Sequence, residues 1–355
     1  MTRWLVTGSA GLLGRAVLAC LRERRATVLG LCRADLDVTD AHQVRAAIGD
    51  CKPDIVINCA AWTAVDAAEA DEPSALAVNG KGAENLAAAC AEAGARMAHI
   101  STDYVFDGLA TEPYREDAEP SPRTAYGRSK LAGEVAVRKH LPEGGLVVRT
   151  AWLYGGSGPS FARKMIEASA ASGAVDVVAD QRGQPTWTRD VADQVVRLAA
   201  GNASGIYHAT SSGDATWFDL AREIFALARA DQARLRPVPS EAFPRPAKRP
   251  AYSVLGHERH RALGLEPIGD WRAALRQAWP EISGHLTCLA HAAGPDQPLA
   301  PGVGGKHPAG ERFSQRRRGG VLVRQDTFPG GRPLDPETRV ERVNAVFEFR
   351  VVRGG

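Results

Sequence analysis

The sequence has no closely paired cysteines, no strong excess of one charge and no long apolar run, and each shortage closes off a class of function. Its six cysteines are Cys20, Cys32, Cys51, Cys59, Cys90 and Cys288, with no C-x-x-C pair among them, so neither a zinc knuckle nor a thioredoxin-type motif is supported. Scattered through apolar segments, they are expected to be small buried side chains in a reducing compartment. The formal net charge is only +3 over 355 residues, which makes no strong electrostatic case for nucleic acid or an anionic membrane. No run approaches the length of a membrane span. The N-terminus enters a strand-like run almost at once, without a leader pattern, so a cytoplasmic protein is expected. A chain of this length can bury a substantial core without disulfides or metals, and its apolar and charged fractions are those of an ordinary globular protein.

What is present is an alternation. Short apolar runs at residues 4–7, 27–31, 55–58, 97–101 and 146–150 alternate with helical patterns at 12–21, from about 41, at 74–93 and at 125–137. Strands apolar on both faces and separated by helices predict an α/β fold: a Rossmann-type doubly wound parallel sheet over residues 1–150. Beyond it the pattern loosens. Helices are expected at 161–171, 188–200, 215–229 and 271–279, a strand at 206–209, and a proline-rich stretch at 237–250. These pieces, residues 151–282, predict a smaller C-terminal substrate-binding lobe over the carboxyl ends of the strands, with some chain returning to the sheet. Residues 283–355 are dense in Gly, Pro and Arg, including Arg316 to Arg318. They are expected to be a disordered, functionless tail whose removal leaves activity intact. Residues 340–352 alternate like a strand, with no function to assign.

Gly8-Ser9-Ala10-Gly11-Leu12-Leu13-Gly14 is a G-x-x-G-x-x-G loop, a weak pattern by itself. Here it follows a strand and opens a helix, the context that gives it meaning. Gly8 permits the tight turn, Gly11 lets backbone approach a pyrophosphate, and Gly14 lets helix and strand pack closely. The helix N-terminus then receives the phosphate charge. A glycine-rich turn without a ligand is the weaker reading at this position. After the second strand, Arg33 could receive a 2′-phosphate, which favours NADPH. Asp35 and Asp37 follow closely, and NADH stays open.

Tyr126 and Lys130 stand four residues apart on a predicted helix and so share a face. An ammonium there should lower the phenol's pKa, letting Tyr126 deliver a proton to a carbonyl oxygen as hydride arrives at its carbon. Lys130 can also hold the nicotinamide ribose. Y-x-x-x-K is common by chance, and a surface Tyr–Lys pair is the ordinary explanation of it. A third member comes from the strand end at Ser101-Thr102-Asp103. Thr102, with Ser101 the weaker candidate, can hydrogen-bond the substrate carbonyl, although a hydroxyl at a strand end is commonly just a cap.

The loop at Gly8, the strand ending Asn58-Cys59-Ala60-Ala61, the Ser101-Thr102-Asp103 segment and the Tyr126/Lys130 helix, in this order, resemble the extended short-chain dehydrogenase/reductase superfamily. Residues 58–66 (NCAAWTAVD), 101–108 (STDYVFDG), 126–134 (YGRSKLAGE), 149–155 (RTAWLYG), 180–186 (DQRGQPT) and 249–255 (RPAYSVL) are similar to the dTDP-4-dehydrorhamnose reductase family. The resemblance covers about residues 3–280. It implies hydride transfer from NAD(P)H to C4 of a dTDP-4-keto-6-deoxyhexose, with Thr102, Tyr126 and Lys130 as the catalytic triad. By the same resemblance Gly11, Leu12 and Leu13 would face the pyrophosphate and Asp37 and Val38 the adenosine. Ala61, Trp62 and Thr63 would line the cofactor, and Val65, Tyr104 and Trp152 would pack on the sugar. The aromatic faces of Tyr104 and Trp152 suit the apolar side of a deoxysugar, and the fork of Arg249 suits a diphosphate. Trp62 and Gly256 depart from the family's usual residues and leave room for a related 4-keto sugar of antibiotic biosynthesis. Some members use Mg2+; no carboxylate cluster marks a site, and metal stays open, as does a homodimer. The rival readings are an epimerase or dehydratase of the same superfamily, which returns its hydride, and a non-catalytic binding protein, against which the intact triad argues.

Overall fold

The structure is a computed structural model that describes residues 2–156, 158–292 and 349–352, with the side chains of 285–292 outside the description. In the N-terminal half the order is β1 (Arg3–Thr7), α1 (Leu12–Glu23), β2 (Thr27–Leu31), α2 (Ala41–Cys51), β3 (Ile55–Asn58), α3 (Val65–Ala70), α4 (Glu72–Leu76), a π-helical turn (Ala77–Lys81), α5 (Gly82–Ala93), β4 (Arg96–Thr102), α6 (Ala125–His140) and β5 (Gly145–Thr150). The C-terminal half contributes β6 (Leu153–Tyr154), α7 (Phe161–Ala170), β7 (Ala174–Val178), β8 (Arg182–Gly183), β9 (Thr186–Trp187), α8 (Thr188–Ala200), β10 (Gly205–His208), β11 (Ala215–Thr216), α9 (Trp217–Leu227), β12 (Leu235–Val238), α10 (Glu258–Ala262), α11 (Trp271–Ala292) and β13 (Phe349–Val352).

Six strands form one parallel sheet in the order β10-β5-β4-β3-β1-β2. Every residue of β3 and β5 is buried, as a sheet covered on both faces requires. The period of two divides their side chains between two cores. Val6, Ile57 and Val148 pack with Val17 of α1 and Val195 of α8. Leu5, Val56 and Val147 point the other way, onto Val44 of α2 and Leu86 of α5. From β1 the chain steps to β2 on one side and then to β3 on the other. That reversal leaves a crevice above the carboxyl ends of β1 and β3, where ligands bind in such sheets. The second lobe builds its own core from Met165, Phe225, Trp271 and Leu275, around the three-stranded sheet β12-β7-β13.

The long alanine-rich helix expected at 74–93 is interrupted by the π turn, which carries Asn79 to the interior at 1% exposure. The helix expected from residue 215 starts at Trp217, because Thr216 and Asp219 form a reciprocal capping box. The expectation of a tail beginning at 283 needs correction. Helix α11 runs through Ser283 to Ala292, with Ile282 in the lobe core and the Ser283 hydroxyl donating to the Trp279 carbonyl at 2.6 Å. Residues 349–352 form a strand paired with β7, so this part of the tail is ordered by docking. Arg316 to Arg318 and the rest of 293–348 lie outside the described residues. Among those described, no helix is long and apolar enough to cross a membrane.

Candidate active site

The crevice is made of backbone. Gly8 has φ +64°, and a Cβ there would lie 2.5 Å from the Ala60 nitrogen. A Cβ on Gly14 would lie 2.2 Å from the Gly8 carbonyl oxygen. Both positions therefore require glycine. Gly11 caps α1 with no side-chain hydrogen bond, which leaves the first-turn N–H groups of Leu12 and Leu13 to an anion, while the Leu13 side chain is 6% exposed in the core. Gly8 and Gly11, Arg33, Asp37 and Val38, and Ala61 and Trp62 line one cavity of about 300 Å³ across this crevice. Thr63 is exposed and lines neither this cavity nor the sugar-side pocket described below. A dinucleotide fits this donor set: a glycine cradle, a helix N-terminus and a half-apolar cleft. The two acidic residues near Arg33 are engaged locally. Asp35 accepts from the Cys32 N–H at 2.9 Å. Asp37 accepts from the Thr39 N–H and hydroxyl at 2.9 and 2.8 Å, bonds that hold its carboxyl below the usual range, with help from the nearby Arg33 charge.

At the end of β4 the two hydroxyl candidates separate. The Ser101 hydroxyl donates to Glu134 at 2.6 Å, and Glu134 is held by both Nε and Nη2 of the fully buried Arg149. Ser101 is thus committed to a structural network. Thr102 donates to Asp103 Oδ1 at 2.9 Å, accepts from the Tyr104 N–H at 3.2 Å, and hydrogen-bonds the Tyr126 phenol. Burial pushes Asp103 up to about 6, against the Ser253 and Thr102 hydroxyls.

Tyr126 departs from expectation. Burial pushes its phenol up to about 12, the Thr102 hydrogen bond pulls it down, and the Asp103 charge pushes it up. The expected lowering by Lys130 is not found, because the ammonium points elsewhere: Lys130 is 2% exposed and Nζ donates to the Ile100 carbonyl at 2.6 Å. Its own pKa falls to about 8 through burial, with the Glu134 and Cys59 charges opposing. Beneath it lies a polar chain that sequence reasoning missed. Asn58 Oδ1 accepts from the Thr7 hydroxyl at 2.7 Å and the Ala60 N–H at 3.0 Å. Its amide nitrogen must then donate to His99 Nδ1, 3.0 Å away. That assignment leaves the His99 proton on Nε2, facing Lys130 Nζ at 3.4 Å. Burial and the Lys130 charge keep His99 neutral. From the π turn, Asn79 grips Trp62 at both its N–H and carbonyl and reaches the Ser129 hydroxyl of α6, fixing the crevice wall to the helix that carries Tyr126 and Lys130.

On the other side of Tyr126 its ring meets Tyr104 edge-on, centroids 5.5 Å apart. Tyr104, Trp152 and Arg249 line a second pocket of about 250 Å³ together with Phe161 and Trp217. Val65, half-buried at the start of α3, is not among its lining residues. Trp152, expected to pack on the sugar, lines this pocket and is itself held in place by neighbours. Its backbone sits at φ +47°, its indole stacks on Trp217 at 3.4 Å, and a Cβ on Gly183 would come within 2.5 Å of the ring. The Arg249 fork is already used, donating to both oxygens of Asp66 at 2.9 and 2.7 Å. Trp217 and Asp66 were not singled out from the sequence: Asp66 stood inside a quoted motif with no role, and Trp217 in a helix read only by its periodicity.

Fold and site together define a dinucleotide-dependent enzyme of the extended short-chain dehydrogenase/reductase class. Within it, residues 2–283 match the RmlD substrate binding domain model, and the chain belongs to that family. It is 53% identical over 281 residues to the dTDP-4-keto-6-deoxy-D-glucose reductase of Streptomyces niveus, covering 79% of this chain and 98% of that protein. It is equally, 53%, identical over 287 residues to the dTDP-4-dehydrorhamnose reductase of Streptomyces griseus, covering 79% and 94%. Among solved structures, the dTDP-4-dehydrorhamnose reductase of Bacillus anthracis in complex with NADP aligns with TM-score 0.76 at 35% identity, covering 79% of this chain and 99% of that one.

Proposed function

We propose that this chain uses NADPH to reduce the C4 ketone of a dTDP-4-keto-6-deoxyhexose, converting dTDP-4-dehydrorhamnose to dTDP-L-rhamnose. The observation that carries the reading is the position of the Thr102–Tyr126 pair. It touches the aromatic pocket through Tyr104, and Lys130, one helical turn on, lies by Cys59 of the crevice wall. The names of the relatives and the NADP-bound neighbour point the same way.

Bound in the crevice, NADPH would supply the hydride taken up by the ketone carbon. The Tyr126 phenol, kept protonated by burial, gives its proton to the carbonyl oxygen, so the ketone becomes a hydroxyl. Thr102 holds that phenol in place. Lys130, whose ammonium is turned to the Ile100 carbonyl rather than to the phenol, contributes a donor for the nicotinamide ribose. Arg33, on the crevice rim, meets the adenosine 2′-phosphate. Tyr104 and the Trp152–Trp217 stack bound the sugar, and the diphosphate reaches Arg249 by taking over one of its bonds to Asp66. The described cysteines are free thiols, in keeping with the reducing cytoplasm in which we place the protein.

The test is direct. Purified protein with dTDP-4-dehydrorhamnose and NADPH should lose nicotinamide absorbance mole for mole with ketone, NADH should serve less well, and NMR should show dTDP-L-rhamnose. Product formed without loss of absorbance would overturn the reading in favour of an isomerase or dehydratase. Faster turnover of dTDP-4-keto-6-deoxy-D-glucose would move the substrate to that sugar.

A further inference from the structure

Beyond residue 283 the chain leaves the family match, yet it comes back to the substrate lobe. Strand β13 pairs antiparallel with β7, from Phe349 opposite Val177 to Val352 opposite Ala174. β7 already pairs with β12 on its other side, so β13 covers what would otherwise be an open strand edge. The seat is specific to these side chains. Phe349 turns into the lobe core at 2% exposure. Arg350 turns the other way, 3.6 Å from Asp176, with its guanidinium 5.6 Å over the Phe243 ring.

From Phe349 a line of rings leads into the aromatic pocket. Phe349 meets Phe161 edge-on with centroids 5.9 Å apart. Phe161 packs on Trp217 at 4.7 Å, and Trp217 stacks on Trp152 at 3.4 Å. The last three line the pocket; Phe349 stands behind them. In an interior packed to crystal density, rings in direct contact do not shift independently. Removing the rearmost ring leaves a void next to Phe161, and the wall relaxes into it.

We propose that the C-terminal strand is a built part of the sugar pocket, with Phe349 as a positioning residue that holds Phe161, Trp217 and Trp152 against the nucleotide sugar. The proposal rests on the reading of that pocket as the sugar site. It makes the family's common core dependent, for substrate binding, on a segment that lies outside the family match.

In the full-length protein, Phe349→Ala should raise KM for dTDP-4-dehydrorhamnose about tenfold through misplacement of the wall. The Kd for NADPH should stay unchanged, and kcat should fall by a smaller factor. Phe349→Leu, which refills most of the volume, should recover most of the loss. Arg350→Glu sets like charge against Asp176, loosening the seat of β13 without removing any ring. It should raise KM in the same sense by a smaller factor, and it decides the question if Phe349→Ala does not fold. Trp152→Ala tests the pocket itself: an unchanged KM there would overturn the sugar-pocket reading and this proposal with it. A raised KM in Trp152→Ala beside unchanged values in both β13 variants would overturn the role of the strand alone. So would a loss of NADPH affinity that parallels the rise in KM.

Discussion

The dinucleotide crevice and the sugar-side pocket are neighbours built by opposite means. The crevice is backbone: Gly8 and Gly14 allow approaches that a single Cβ would block, and its walls come from loops that follow adjacent strands β1, β2 and β3. The pocket is side chain: rings from Tyr104, Trp152, Phe161 and Trp217 meet from three separate stretches of chain, with Phe349 behind them. A site made of backbone constrains a short contiguous stretch, because every residue of the turn must take a particular conformation. A site made of rings constrains only residue size and flatness at scattered places. The first is fixed once the sheet forms. The second depends on how a whole lobe packs.

The residue between the two regions should show the largest effect. Tyr126→Phe keeps the ring and its edge contact with Tyr104 and removes only the transferable proton. Turnover should fall on the order of 10³-fold, as expected for loss of a positioned general acid, while NADPH and sugar affinities hold. Single-turnover kinetics with separate binding titrations check this, and unimpaired turnover would remove Tyr126 as the donor. Next in size is a change to the crevice. Gly14→Ala puts a Cβ 2.2 Å from the Gly8 carbonyl, against backbone that cannot swing aside. NADPH affinity should drop on the order of 100-fold, which corresponds to about 2.7 kcal/mol. If the two regions are as separate as their construction suggests, the Kd for the nucleotide sugar measured without NADPH should barely move. Equal losses for both ligands would break the contrast.

The same contrast decides what was legible in the sequence. The parallel sheet followed from doubly apolar runs, and the phosphate loop from three glycines in the right place between β1 and α1. The proposed triad members stood out because two of them lie at helical spacing and the third at a strand end. The preference for Thr102 over Ser101 had no cause visible in the sequence; what favours it, the capture of Ser101 by Glu134, lies in contacts between β4, α6 and β5. The influence of Lys130 on Tyr126 was misread because helical spacing sets which face a side chain leaves from, not what its end finds; Nζ found the Ile100 carbonyl. Trp152 was read as a sugar-packing ring, and the stack with Trp217 that holds it was not legible, because nothing nearby in sequence announces Trp217 or the close approach of Gly183. At its two ends the tail was misread because its composition is that of a disordered segment, whereas its first residues continue α11 to Ala292 and residues 349–352 pair with an open edge on β7. Local composition carries no record of a docking site elsewhere.

The smallest effect concerns Lys130, which sits at the junction and belongs to the crevice by its contacts. Its pKa, about 8, lies well below that of an exposed lysine because burial disfavours the ammonium. For a base whose pKa is lowered in the folded protein, the charged form is complete below that value and is lost as pH rises through it. If the ammonium is the working form, kcat/KM should be level near neutrality and fall above about pH 8, by about tenfold for each further unit. The neighbouring groups place their own limbs elsewhere. Tyr126 and Cys59 hold their protons to about 12, and Asp103 titrates near 6. Neutral His99 stays deprotonated throughout this range. An alkaline limb near 8 therefore belongs to Lys130, and Lys130→Arg should push it out of the measurable range even if the rate drops. A profile flat to pH 10 in the unaltered protein would show that the charge is dispensable. The role of Lys130 would then reduce to contacts made by a neutral amine on the crevice side of the helix.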